Sequence, residues 1–203
     1  MRYTDGRMLE HGKAALAFGC AVLSTVCGCG EPEVTSQAGE PQGECNARET
    51  SFQNGTYAHI EPCSETDYAM SPPVFGDHYP TWAAFQAYDF PVPLGFLVHD
   101  LEHGAVVFFY DCPDGCADEV AEVAAFIDAL PVDPLCSAEI ARRTVLVPRP
   151  ALGARWAAAA WGHSLTADCF DAEFFADFYE RRVGRGPEDF CSQGIAFTTN
   201  PCE

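Results

Sequence analysis

Apolar and polar positions change their rhythm several times along the chain, and each rhythm predicts an element. Ala105 to Tyr110 reads AVVFFY, an unbroken apolar run of strand length, which predicts a buried strand. Between Asp114 and Leu130 the positions Val120, Val123, Ala124, Ile127 and Leu130 share one helical face. Acids lie opposite them and Pro131 stops the helix. RRTVLVP (142–148) predicts a second strand, and RWAAAAWG (155–162) a third. Asp171 is an N-cap residue, and the helix it opens puts Phe174, Phe175, Phe178 and Tyr179 on an aromatic face before Gly184 ends it. IAFTT (195–199) predicts a last short strand. Upstream, Pro72, Pro73, Pro80, Pro91 and Pro93 punctuate an aromatic-rich stretch over residues 59–97. That stretch is predicted to be irregular and packed, with one helical turn around Trp82 to Tyr88. The order β-α-β-β-α-β predicts an α+β domain of ferredoxin-like form, an antiparallel sheet with two helices on one face.

The first residues follow a different pattern. Arg2, Arg7 and Lys13 precede the apolar run AALAFGCAVLSTVCGCG, which is short for a membrane span and suits the core of a signal peptide. Val26-Cys27-Gly28-Cys29 fits a bacterial lipobox, with cleavage before Cys29 and a lipid on its sulfur; Cys20 and Cys27 are the alternatives. Residues 1–28 are thus expected to be a lipoprotein signal peptide. From Glu31 to Glu49 the chain is rich in Pro, Gly, Glu, Gln and Ser. It lacks the large apolar residues that would fold it, which predicts a flexible tether over 29–49. Residues 50–203 then form a single domain.

Composition sharpens this. Lys+Arg 11 against Asp+Glu 30 gives a formal charge of −19, a field that repels a phosphate backbone and excludes nucleic acid as partner. The membrane, reached through the lipid, is the expected partner. Of 11 cysteines, removal of the three in the leader leaves Cys45, Cys63, Cys112, Cys116, Cys136, Cys169, Cys191 and Cys202. An even set spread over the mature chain is a disulfide framework, formed in an oxidising compartment such as the periplasm or cell surface. The pairing stays open, and a catalytic thiol is excluded on the same ground.

The chemistry concentrates in histidines. Four of the six, His59, His78, His99 and His103, fall within one stretch. Neutral imidazole is the commonest metal ligand, and three or four can hold zinc or copper without a thiolate. His99 and His103 share a face whether they lie on a helix or a strand; Glu102 joins them only on a helix. Asp100, Glu102 and Tyr79 are candidates to hold the second ring nitrogens. His99-Asp100-Leu101-Glu102-His103 also satisfies H-x-x-E-H, the inverted zinc-peptidase pattern, with Glu102 as base. Met70 is a candidate soft ligand, and Trp82, Trp156 and Trp161 read as core. No G-x-S-x-G, phosphate-cradling loop, haem motif or EF-hand is present.

Three stretches together resemble the bacterial family of domains of unknown function numbered 3105. They are SPPVFGDHYPTWAAFQAYDFP, then LVHDLEHGAVVFFYDCP, then VLVPRP with AAAAWG. The resemblance spans roughly residues 55–187. It implies an exported or tethered protein whose motif histidines are His78, His99 and His103, with His59 at the place of an upstream histidine. It makes His163 a doubtful ligand.

Three functions are compatible with these residues. One is metal handling by a lipid-anchored protein, with one ion held by His78, His99 and His103 and completed by His59 or Glu102. Copper is favoured over zinc, because the site is histidine-rich and thiol-free and the compartment oxidising. The second is a metal-dependent hydrolase or oxidase using the same cluster with Glu102 as base. The third is a disulfide-stapled binding module without metal, in which the histidines would bond to separate partners.

Overall fold

The computed structural model describes residues 33–203. Its elements, in chain order, are β1 (Thr35–Ala38), β2 (Arg48–Gln53), α1 (Leu94–Glu102), β3 (Val106–Tyr110), α2 (Ala117–Ala129), β4 (Thr144–Pro148), β5 (Trp156–Ala160), β6 (His163–Ala167) and α3 (Ala172–Arg182). The six strands form one sheet in the order β1-β2-β6-β5-β3-β4. The protein is α+β, and all eight cysteines among the described residues are paired.

The sheet is mixed. β3 runs parallel to β4, with Phe108 opposite Leu146, because α2 carries the chain back across one face between them. β3 is antiparallel to β5 on its other side, and β5 forms a hairpin with β6 through Trp161 and Gly162. This departs from the ferredoxin-like order, in which the second and third strands of the unit are hairpin neighbours. Here β5 skips β4 and pairs with β3 instead. The two helices predicted for one face, α2 and α3, do share it. Val123 and Ile127 of α2 and Phe175, Phe178 and Tyr179 of α3 bury against Val106, Phe108, Trp156, Ala158 and Leu165. Asp171 caps α3 by accepting from the amides of Glu173 and Phe174.

The opposite face is covered by α1 and the Pro/aromatic segment. Phe96, Leu97 and Leu101 pack with Val74, Phe75 and Tyr79 against Val107, Phe109, Val145, Ala157 and Ala159. The alanines of β5 explain why that strand works despite its modest strand propensity: it is buried on both sides, and methyl-sized side chains let both layers approach.

Three expectations are corrected. Residues 35–49 are not an open tether. β1 and β2 extend the sheet edge, with Thr35 opposite Gln53, and Cys45 and Ala47 are buried. A polar edge strand needs only backbone partners on one side, so its composition gave no sign of order. Trp82 to Tyr88 is extended rather than helical, pinned by Ala84 N–H to Ile195 C=O at 2.9 Å and Tyr88 N–H to Leu146 C=O at 2.8 Å. Residues 195–199 make a single bridge, Ala83 with Ile195, and no strand. Residues 1–32, with the signal sequence and Cys29, lie outside the described residues. Among those described, no helix is long and apolar enough to cross a membrane.

The disulfides are Cys45–Cys169, Cys63–Cys202, Cys112–Cys116 and Cys136–Cys191. Four such bonds belong to a protein that folds in an oxidising compartment.

Candidate metal site

The site is built on the last turn of α1. That helix has apolar residues nearly all round, Leu94, Phe96, Leu97, Val98 and Leu101, and Gly95 through Glu102 are all buried. It ends where Gly104 takes φ +80, a left-handed conformation that suits glycine. His99, Glu102 and His103 therefore sit one turn apart on one side, and the chain enters β3 directly afterwards.

Two other segments bring the remaining histidines to this turn. Residues 58–60 and 78 pair as a short parallel bridge, through Ile60 N–H to His78 C=O at 2.8 Å and His78 N–H to Ala58 C=O at 3.0 Å. Tyr79 N–H in turn donates to Gly95 C=O on α1 at 3.1 Å. His59 and His78 are thereby laid over His99, with the His59 and His99 rings stacked at 5.1 Å.

The polar atoms converge. Glu102 Oε2 lies 3.1 Å from His78 Nε2, 3.6 Å from His59 Nε2 and 3.9 Å from His99 Nε2. One ligand atom from each of these four residues falls within 4.8 Å of the other three. Donors held at about 2.0–2.2 Å around a tetrahedral ion stand about 3.3–3.6 Å apart, so the observed spacings approach those of a coordination shell. The far ring nitrogens are anchored, His78 Nδ1 at 2.8 Å from Gly76 C=O and His99 Nδ1 at 2.6 Å from Tyr79 C=O. A proton on each Nδ1 would donate to that carbonyl and leave the Nε2 lone pair turned inward, the arrangement that orients histidine ligands in metalloproteins. Three imidazoles and a carboxylate can hold a transition-metal ion.

Backbone carbonyls thus take the roles expected of side chains. The Tyr79 phenol donates instead to Ser64 C=O at 2.9 Å. Asp100 joins neither group of ligand atoms. It is 0% exposed, and neither of its oxygens is in hydrogen-bond geometry. Burial raises its carboxyl well above the usual range, with the Ala83 backbone pulling the other way. Burial also pushes the His99 imidazole down to about 4, which keeps it neutral and ready to ligate. His103 is lowered for the same reason, against the opposing pull of Glu188.

His103 stands on the far side of His99, Nε2 to Nε2 3.1 Å, outside the group of four. It groups with Glu102 and with Glu188, an acid the sequence did not single out. Two tryptophans expected as core, Trp82 and Trp161, pack against the α1-side core half-buried and also wall the site. Trp82 packs 4.4 Å from the His103 ring and 5.2 Å from His99, and Trp161 lies 6.4 Å from His78. Trp156 is core, on the other face. Met70 packs against the α1-side apolar layer. His163 begins β6 beside Glu49 and belongs to neither ligand group.

A family model described as Protein of unknown function (DUF3105) matches residues 59–193, more than half of the chain. The chain belongs to the DUF3105 family. No curated protein and no solved structure matches it. The DUF3105 span begins at His59 and takes in every residue of both ligand groups. Two disulfides, Cys112–Cys116 and Cys136–Cys191, lie inside the DUF3105 span. Cys45–Cys169 and Cys63–Cys202 each reach beyond it.

Proposed function

We propose that this protein is an exported metal-handling protein that binds a transition-metal ion through His59, His78, His99 and Glu102. The observation that carries the reading is the convergence of three Nε2 atoms on one carboxylate oxygen, with two rings anchored from behind. A core built only for stability has little reason to gather three imidazoles around one buried acid, because each buried polar group costs free energy unless it is bonded. The ion is copper in preference to zinc, since the ligand set is imidazole-rich, lacks thiolate and would work in an oxidising compartment. The four disulfides support export, and the lipobox at Cys29 is the basis for reading the protein as lipid-anchored at the cell surface or in the periplasm.

A second reading, a metal-dependent hydrolase or oxidase, is favoured by one feature. The His59 side chain is 51% exposed while His78 and His99 are buried, so His59 would be the ligand that a substrate or water displaces from an ion held there. In that reading Glu102, which touches three histidines, serves as a ligand rather than as the free base of H-x-x-E-H.

Elemental analysis of the protein purified from an oxidising compartment tests the proposal, with His99→Ala and Glu102→Gln run beside it. Near-stoichiometric copper or zinc, lost in both variants while circular dichroism is unchanged, is the expected result. Absence of metal and of uptake on titration in the wild type would sink it.

A further inference from the structure

The cluster does not end at the four residues above. His103 Nε2 lies 3.1 Å from His99 Nε2 and 3.3 Å from Glu188 Oε2, and Glu102, His103 and Glu188 present ligand atoms within 4.8 Å of one another. His103 is 3% exposed. Unlike His78 and His99, its Nδ1 is buried with no hydrogen-bond partner. Either tautomer of the neutral ring is left short. With the proton on Nδ1, a buried N–H goes unbonded and the Nε2 lone pair faces those of His99 and Glu188. With the proton on Nε2, one N–H is shared between two acceptors and Nδ1 is stranded. A cation beside Nε2 removes the repulsion in the first case.

Charge argues the same way. Glu102 and Glu188 meet at the carboxyl end of α1, where the helix dipole is itself negative and acids are disfavoured. Arg143, which donates to His103 C=O, is already committed to Asp133 and Asp189, each at 2.7 Å. Glu188 is nevertheless held in place by backbone. Gly184 N–H donates to Gly104 C=O at 2.8 Å and Glu188 N–H to Glu102 C=O at 2.9 Å. The segment passes so close that a Cβ on Gly186 would lie 2.1 Å from Glu102 C=O. Cys136–Cys191 ties down its far end.

We propose that Glu102, His103 and Glu188 form a second cation site, joined to the first through the Glu102 carboxylate, so that the protein carries a pair of ions. This rests on the metal reading of the first site. The second site has one imidazole and two carboxylates, a harder donor set, and Glu188 is 60% exposed. It therefore takes a divalent ion such as zinc or manganese, and holds it more loosely than the first.

The full mature protein is titrated with Zn²⁺ and counted by elemental analysis after gel filtration, beside Glu188→Gln and His103→Gln. Glu188→Gln changes an exposed side chain and leaves the fold intact, which circular dichroism checks. The expected result is two ions in the wild type, bound in two phases, and one in each variant. Loaded with Cu²⁺, the wild type gives a spin-coupled paramagnetic resonance signal that becomes that of an isolated ion in Glu188→Gln. One ion in both wild type and Glu188→Gln overturns the second site and leaves the first standing. No ion in any form overturns both.

Discussion

The two faces of the sheet are built on opposite principles. Under α2 and α3 the core is apolar and aromatic; the buried charges beside it, Asp133 and Arg143, pair with each other at 2.7 Å, and at the rim Arg181 and Arg182 meet Glu49. Under α1 the core holds His78, His99, Asp100, Glu102 and His103 at 4% exposure or less. Burying ionisable groups is costly, so the second face gives up stability that the first supplies. The comparison points to a division of labour, in which one face holds the domain together and the other carries a cluster of buried ionisable groups.

The sharpest way to break that comparison is to weaken the first face alone. Phe178→Ala, at a fully buried position of α3, should cost about 3–5 kcal/mol. The melting midpoint should fall by roughly 10 °C, with metal stoichiometry unchanged below the transition. Loss of metal in the folded variant would show that the faces are not separable. Next in size, replacing Cys45 and Cys169 by serine opens a link of sequence separation 124 on the same face. It should lower stability in urea by about 3 kcal/mol, again without altering metal uptake.

The α1 face should answer differently. With metal at a hundredfold excess over its dissociation constant, the wild type should gain about 2.7 kcal/mol. Glu102→Gln, which keeps the shape and removes the shared carboxylate, should abolish that gain while shifting the metal-free midpoint little. Differential scanning calorimetry with and without the ion separates the two effects.

The smallest effect belongs to the rim of the first face. Partial burial pushes the Glu49 carboxyl up, but hydrogen bonds and charge from Arg181 and Arg182 overcome it and hold the group below its usual 4.5. A carboxylate lowered on folding stabilises above its unfolded pKa and loses that contribution as the pH falls through the folded value. Glu49→Gln should therefore cost less than about 1 kcal/mol at pH 7. The gap to wild type should close as the pH drops below 4.5. Paired urea titrations at pH 7 and pH 3 measure it, and a constant gap would rule the ion pairs out as its cause.

The same contrast explains what the sequence allowed to be read. β3, α2, β4 and α3 follow from period alone, because each presents one apolar face or an unbroken apolar run. α1 is missed because Pro93 offers no side-chain cap, no acid marks its first turn, and burial on all sides erases the amphipathic stripe. β1, β2 and β6 are short, polar and partly exposed, so their order comes from pairing rather than composition. Within the site, His99, Glu102 and His103 are legible from spacing once a helix is granted. Glu188 is not, since nothing local distinguishes an exposed acid; only the closure of the last segment over α1 brings it to His103. The division of His103 from the other three histidines is likewise a matter of which side of His99 each approaches.

Cys63–Cys202 has a sequence separation of 139, and it makes most of the described residues a covalent ring. A protease that cut the exposed stretch near Val132 and Leu135 would leave its two products joined, through this bond and Cys45–Cys169. The ring encloses His78, His99, Glu102, His103 and Glu188, so a single nick there cannot carry one ligand away from the rest. Such a cut would be invisible on a gel until a reductant is added. The molecule can be damaged at one point and remain one object.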